Sequence, residues 1–226
     1  MVDATAFFDA IKSGQRHAVH AALERDPALA TTRDDQRLSP ILVALYHLPA
    51  DRADPIARDI AAHAAELDVF EASALGDANR VRDLVDRDPA LANVYNVDGF
   101  NPLGLAAFFK RGDVVRALLR AGADPNAPSR NAFAFTPLHS AIATNGGAID
   151  MTLIRALVEA GADVNARSAQ GSTVLHTAAF VGDATAARYF LERGADPNAR
   201  TNDGRTPLDV ARERQQGEIA RLLAAR

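Results

Sequence analysis

The chain has no cysteine. Disulfides, thiolate metal sites, iron–sulfur clusters and cysteine nucleophiles are therefore excluded. Tryptophan is absent as well, and a core must be built from Leu, Val, Ile, Ala and Phe. Only Lys12 and Lys110 are lysines; arginine supplies the rest of the positive charge. Nor is positive charge in excess: 25 Lys+Arg face 29 Asp+Glu, for a formal net charge of −4 and a pI near 5.8. Nucleic-acid binders carry a basic stripe, so no nucleic-acid partner is expected. Long apolar runs are missing too. The longest, at 102–109 and 41–46, fall far short of the roughly 20 residues that span a bilayer, and no membrane partner is expected. The first residues lack a basic region followed by an apolar stretch, which is not a secretory signal, and a cytoplasmic location is expected.

The 226 residues are 48% hydrophobic and 24% charged, a balance that excludes wholesale disorder and suits one or two globular domains. Their dominant feature is internal repetition. Gly-Ala-Asp-Pro/Val-Asn stands at 122–126, 161–165 and 194–198, at steps of 39 and 33. A second phrase occurs as Thr-Pro-Leu-His at 136–139, Thr-Val-Leu-His at 173–176, Thr-Pro-Leu-Asp at 206–209 and Asn-Pro-Leu-Gly at 101–104. A third, Arg-Asp-Pro-Ala-Leu-Ala, begins at Arg25 and again at Arg87, 62 residues on, the length of two units. Aligned together, these phrases give seven units starting near Thr5, Ser39, Leu67, Asn101, Thr136, Thr173 and Thr206.

Each unit reads as two helices. Ser39, Asn101, Thr136, Thr173 and Thr206 are N-cap residues, whose side-chain oxygen can take an orphan helix N–H. Proline at 40, 102, 137 and 207 takes the first helical position, where its missing N–H costs nothing. The following helix is rich in alanine and allows close approach. A tight turn such as Gly76-Asp77 or Gly182-Asp183 starts a second helix, with apolar residues at helical spacing: Val81, Leu84 and Val85; Val115, Leu118 and Leu119; Ile154, Leu157 and Val158. Gly122, Gly161 and Gly194 stand where a left-handed residue closes it. Asp-Gly at 98–99 and 203–204 marks a hairpin-like turn before the next unit.

A helix–turn–helix near 33 residues long carrying Thr-Pro-Leu-His resembles the ankyrin repeat. The resemblance is strong from 101 to 226, good from 67 to 97 and degraded from 5 to 66. It implies an all-α ankyrin-repeat solenoid of about seven helix–turn–helix repeats with short hairpin fingers, in one domain over 1–226 with the first two repeats degenerate. Departures are local. The unit at Ser39 has no Gly-Ala-Asp turn, and its second helix, near 54–65, runs almost directly into the next, so a finger is missing and the stack is bent or interrupted there. The finger at 129–135 is longer, with Ala134 in place of glycine. Four extra residues fall around 145–149. The last helices carry Arg212, Glu213, Arg214, Gln215, Gln216 and Glu218, the polar outer face of a terminal cap.

Candidate chemistry is sparse. His139 and His176, at the Thr-Pro-Leu-His position, are expected from the resemblance to bond backbone groups and tie neighbouring repeats; a metal pair would lack a third ligand. His17 and His20 read as a solvated or partly buried face. Asn126, Asn165 and Asn198 read as turn residues bonding their own backbone. Asp34-Asp35 and Asp51/Asp54 read as solvated acidic pairs. No Ser/His/Asp set, phosphate-cradling glycine loop or His-Glu-x-x-His occurs. No catalytic residue, cofactor or metal is assigned, and the chain is not expected to be an enzyme.

In ankyrin proteins the fingers and the exposed positions of the first helix line a concave face. Carried over unit by unit, this places Tyr46, His47, Leu75, Phe108, Phe109, Phe133 and Phe180 at a partner-binding surface, with Ala74, Ala143, Thr144 and Val181 beside them. Phe100 and Phe135 read as packed against the next helix start. Aromatics framed by polar rim residues are the usual anchor of a protein interface. The resemblance thus implies a non-catalytic protein–protein interaction module that binds a protein partner through its groove and finger tips, expected as a monomer. A regulatory or inhibitory subunit of a partner enzyme is the alternative. Further removed is an enzyme with a shallow site built from His47 and nearby carboxylates.

Overall fold

The computed structural model describes residues 3–143 and 149–225. Thr144 and all of the insertion expected at 145–149 except Ile149 lie outside the described residues. Among the described residues there are fourteen α-helices and no strand. They alternate between an inner and an outer row. The inner helices are α1 (Ala4–Lys12), α3 (Pro40–His47), α5 (Val69–Leu75), α7 (Pro102–Phe108), α9 (Pro137–Ile142), α11 (Val174–Val181) and α13 (Pro207–Glu213). The outer helices are α2 (Arg16–Arg25), α4 (Ala50–His63), α6 (Ala78–Arg87), α8 (Gly112–Arg120), α10 (Met151–Glu159), α12 (Ala184–Glu192) and α14 (Gly217–Ala224). The two Asp-Pro-Ala-Leu-Ala phrases form 3₁₀ turns, Pro27–Thr31 and Pro89–Asn93, where the other repeats use Gly-Ala-Asp. This is the all-α repeat solenoid that the phrases imply.

The caps account for the helix starts. Ser39 Oγ accepts from Leu42 N at 3.3 Å, Asn101 Oδ1 from Gly104 N at 2.6 Å and Thr206 Oγ1 from Asp209 N at 3.2 Å. Two starts differ from the sequence alignment. The first inner helix is capped by Asp3, two residues before Thr5, and the third by Asp68, one after Leu67, in a reciprocal capping box with Glu71. Neither aspartate is followed by proline, the residue that marks the register in four of the other five repeats.

Side chains stitch each repeat to the next. His139 Nε2 lies 3.1 Å from Ser172 O, and His176 Nε2 lies 3.1 Å from Arg205 O. A carbonyl only accepts, so Nε2 carries the proton, while each Nδ1 faces a threonine hydroxyl at 2.9 Å (Thr136 and Thr173). Both rings are 2% exposed, and burial pushes both pKa values down. They stay neutral in the fold while the unfolded imidazoles titrate near 6.5. The unfolded chain then binds more protons, so stability falls as pH drops below about 6.5. The slope is at most about 1.4 kcal/mol per pH unit for each ring, and it ends once the folded rings protonate. Urea titrations between pH 8 and 5 check this, with His139→Gln and His176→Gln flattening the curve.

Asn126 and Asn165 are structural, but their side chains bond the neighbouring repeat rather than their own backbone as the sequence suggests. Asn126 gives Nδ2 to Gly161 O at 2.9 Å and accepts Asp163 N at 2.7 Å. Asn165 does the same to Gly194 O and Asp196 N, and Asn93 to Gly122 O and Asp124 N.

Fingers project before the inner helices at 34–38, 96–100, 129–135, 168–172 and 201–205. Each closes on itself, as in Asn96 N to Phe100 O at 2.9 Å and Ser168 N to Ser172 O at 2.9 Å. Consecutive fingers also pair through the main chain: Arg130 N to Gly99 O at 2.7 Å, Ala169 N to Phe133 O at 2.9 Å and Asn202 N to Gln170 O at 2.9 Å. In the long finger Ala134 adopts φ 49, the left-handed conformation glycine holds in its neighbours.

The ladder has one gap. Only residues 64–68 join α4 to α5, too few for a finger. The inner row packs without interruption from α1 to α13. The outer row packs α2 on α4, α6 on α8, α8 on α10 and α12 on α14, and thins between α4 and α6 and between α10 and α12. Buried apolar side chains accordingly form two clusters that meet on α5, where Ala74 and Leu75 belong to the first and Ala72 to the second. Ionic contacts cross this seam. Arg111 makes a bidentate pair with Asp54 (2.6 and 3.1 Å) and donates to Ala74 O at 2.8 Å, joining repeats four, two and three. Arg33, just before the first finger, lies 3.7 Å from Glu71 and 3.9 Å from Asp68.

Candidate functional site

The inner helices and fingers hold the residues singled out from the sequence, and these fall into three separate places. The first is a chain of four rings. Tyr46 lies 5.7 Å from Phe109, Phe109 lies 5.1 Å from Phe108, and Phe108 lies 6.5 Å from Phe100 on the finger. All four are half-buried. The Tyr46 hydroxyl sits beside Asn96 and Asp98 of that finger. Tyr46 Oη, Asn96 Nδ2 and Asp98 Oδ2 are buried without a well-aligned hydrogen-bond partner. Burial, and then the Asp98 charge, push the Tyr46 pKa up; burial likewise raises that of Asp98. Finger and helices here close on one another.

Leu75 is covered. It is 5% exposed and belongs to the core cluster against which Tyr46 and Phe109 also pack. It presents no surface to a partner. Ala74 is buried beside it. His47 is exposed, with Nδ1 held 3.0 Å from Val43 O of its own helix. Ala143 and Val181 are half-buried.

The second place is the tip of the long finger. Phe133 is 53% exposed and lies 5.4 Å from Phe135. Phe135 is half-buried and stacks on His139 at 5.6 Å with 10° between the planes, packed against the next helix as its sequence position suggests.

The third is the groove between the last two repeats, a cleft of about 670 Å³. The inner helices α11 and α13 form its floor through Thr177, Phe180 and Val210, and the last two fingers contribute Gln170 and Arg205. Phe180 is 55% exposed, and the Arg214 guanidinium lies 3.7 Å above its ring, a cation–π contact. Arg205 is held by Asp203 at 2.7 Å and Glu213 at 3.1 Å. The groove therefore offers an apolar floor with charged groups at its rim. The sequence pattern singled out Phe180 here but not Thr177, Gln170 or Arg205. Their signal was position: Thr177 is one helical turn before Val181, and Gln170 is at a finger tip. Phe108 and Phe109 pack into the ring chain, while Phe180 stands apart with Arg214.

On the outer face, His63 Nε2 lies 3.2 Å from Glu24, and its ring is 6.1 Å from that of His20. The Asp59 carbonyl and then Glu24 raise the His63 pKa. Among the described residues no group of three or more His, Cys, Asp or Glu is arranged to hold a metal ion, and no helix is long and apolar enough to cross a membrane.

Comparison with known proteins finds ankyrin repeats over much of the chain. A family model for ankyrin repeats in three copies matches residues 69–168, and one for ankyrin repeats in many copies matches residues 157–211. No curated protein matches the chain.

Proposed function

The chain belongs to the ankyrin repeat family, and on that premise we propose that it is a protein-binding module whose partner docks in the groove between repeats six and seven and on the tip of the long finger. Ankyrin repeats are in general protein–protein interaction modules, typically without catalytic activity. The observation that carries the location is Phe180, more than half exposed on the groove floor beneath Arg214. A large apolar side chain left open beside polar groups is the composition of an interface anchor. Phe133 adds a second exposed ring. Pre-organisation supports the same reading. Repeats five, six and seven are fixed to one another by main-chain and histidine bonds, and repeats five and six also by Asn165, so the groove loses little conformational entropy when a partner docks.

Phe180→Glu tests this directly. The side chain is exposed, so the variant is expected to fold, with unchanged circular dichroism and melting temperature. Capture of protein partners from a native cell lysate is expected to fall at least about tenfold, the loss of one anchor of 1.4 kcal/mol or more. Undiminished capture by the folded variant would overturn the assignment. Phe108→Glu and Phe109→Glu are poorer probes, since both rings are packed in the ring chain.

A further inference from the structure

The missing finger leaves an open rung. In the three main-chain links between fingers, the second residue of a finger donates its N–H to the finger before it: Arg130, Ala169 and Asn202 each do so. Val97 holds the same place in the finger at 96–100, and the finger before it does not exist. Its N–H has no partner among the described residues. Beside it is a slot of about 220 Å³ between the fingers at 34–38 and 96–100. Leu38, Leu42, Phe70 and Val97 give the slot an apolar side, with Ser39, Asp68, Tyr95 and Asn96 also lining it, and Val97 is 55% exposed. Arg33 and Arg37 stand at its mouth. Arg33 is answered by Asp68 and Glu71, whereas Arg37 has no acidic partner among the described residues.

We propose that this slot receives a short extended segment of the protein partner, which completes the interrupted ladder. The assignment rests on the protein-binding reading and names the form of the ligand. The segment's carbonyl accepts the Val97 N–H, as Gly99 O accepts that of Arg130. One apolar side chain fills the slot against Leu42 and Phe70, and an acidic residue beside it faces Arg37. The volume holds a residue or so of extended chain rather than a whole finger. Main-chain bonding supplies affinity here while the pocketed side chain and the charge supply selectivity, as in other cases of strand addition. Asp34 Oδ1 accepts from Gln36 N and Leu38 N of its own finger at 3.0 and 2.8 Å, and the carboxylate makes no ion pair with Arg37.

The test uses two blocked dipeptides, acetyl-Asp-Leu-methylamide and acetyl-Lys-Leu-methylamide, titrated into the isotope-labelled full chain and followed by NMR. The Val97 amide and the Leu42 methyls are expected to shift together and saturate, with the Asp peptide binding about twofold to fivefold more tightly. Arg37→Glu, on an exposed side chain, is expected to reverse that order. Val97→Pro removes the donor and is expected to abolish the shifts at Leu42, with the amide signals of Gly99 and Phe100 reporting whether the finger is intact. Should that variant lose its finger, the Arg37→Glu reversal decides alone. A silent Val97 amide, an order indifferent to Arg37→Glu, or Val97 shifts that depend on protein concentration without peptide would each overturn the proposal, the last by making a second copy the occupant. The readout is independent of the groove. A silent slot with capture still lost in Phe180→Glu removes this inference only, and slot binding with undiminished capture removes only the assignment of the groove.

Discussion

Gly99→Ala is expected to lower the free energy of unfolding by about 2–4 kcal/mol, whereas Gly122→Ala lowers it by about 1 kcal/mol. Both glycines are left-handed, with φ of 75° and 82°, so an alanine meets the same backbone penalty at each. They differ in what surrounds the added methyl. At Gly122 nothing lies within 4 Å of it. At Gly99 it would fall 2.7 Å from the Arg130 carbonyl carbon, 2.9 Å from Asn131 N and 3.0 Å from Arg130 O. All three are main chain and cannot swing aside, so the finger at 96–100 must part from the next. The 2.7 Å bond from Arg130 N to Gly99 O is broken with it. Denaturant unfolding of the two variants gives the difference, and amide exchange at Arg130 should accelerate only in Gly99→Ala. Equal losses at the two positions would show that the fingers are not in contact as described.

The second large effect lies at the seam. Arg111→Ala is expected to cost about 1–3 kcal/mol. A one-sided break in a fully buried pair costs about 3–5 kcal/mol, and the 19% and 30% exposure of the two side chains calls for a discount. Arg111 has three acceptors in two other repeats, and removing it leaves the Asp54 carboxylate and Ala74 O without their guanidinium. The loss should also be localised. The two apolar clusters meet at α5, and repeat arrays lose stability interface by interface. Amide exchange in residues 3–63 is therefore expected to speed up more than in residues 102–225. Asp54→Ala, alone and combined with Arg111→Ala, completes a double-mutant cycle in which a coupling below about 0.5 kcal/mol would show that the pair does not hold the seam.

Most of the fold was legible because its local rules recur. Serine, threonine or asparagine followed by proline marked four inner helices, and glycine after the outer helices marked the ends of three. The registers of the first and third units slipped because Asp3 and Asp68 cap without a proline behind them. The missing finger could also be read, since the sequence between α4 and α5 is too short to build one. What could not be read was which rings would find each other. Tyr46, Leu75, Phe108 and Phe180 all stand seven residues after their caps at Ser39, Asp68, Asn101 and Thr173, so position alone treats them alike. Their fates differ through neighbours two repeats away or on the far side of a turn. Tyr46 meets Phe109 from two repeats away, and Leu75 is buried in the core cluster against which both rings pack. Phe180 is followed in the next repeat by Arg214, which stacks on the ring and leaves it open. Such outcomes depend on side chains that no periodicity relates.

The gap in the ladder also sets how the molecule bears tension. Pulled along the stack, every junction from the third repeat onward that carries both a finger bond and an asparagine or histidine bond shares the load among several parallel links. The junction between the second and third repeats carries no finger bond, and its outer helices pack thinly. The load there falls on Arg111, Arg33 and the contact of α3 with α5. The solenoid is thus a spring with one soft coil. A partner that gripped the C-terminal groove and drew on it would lengthen the molecule first at the seam, before the grip itself was deformed.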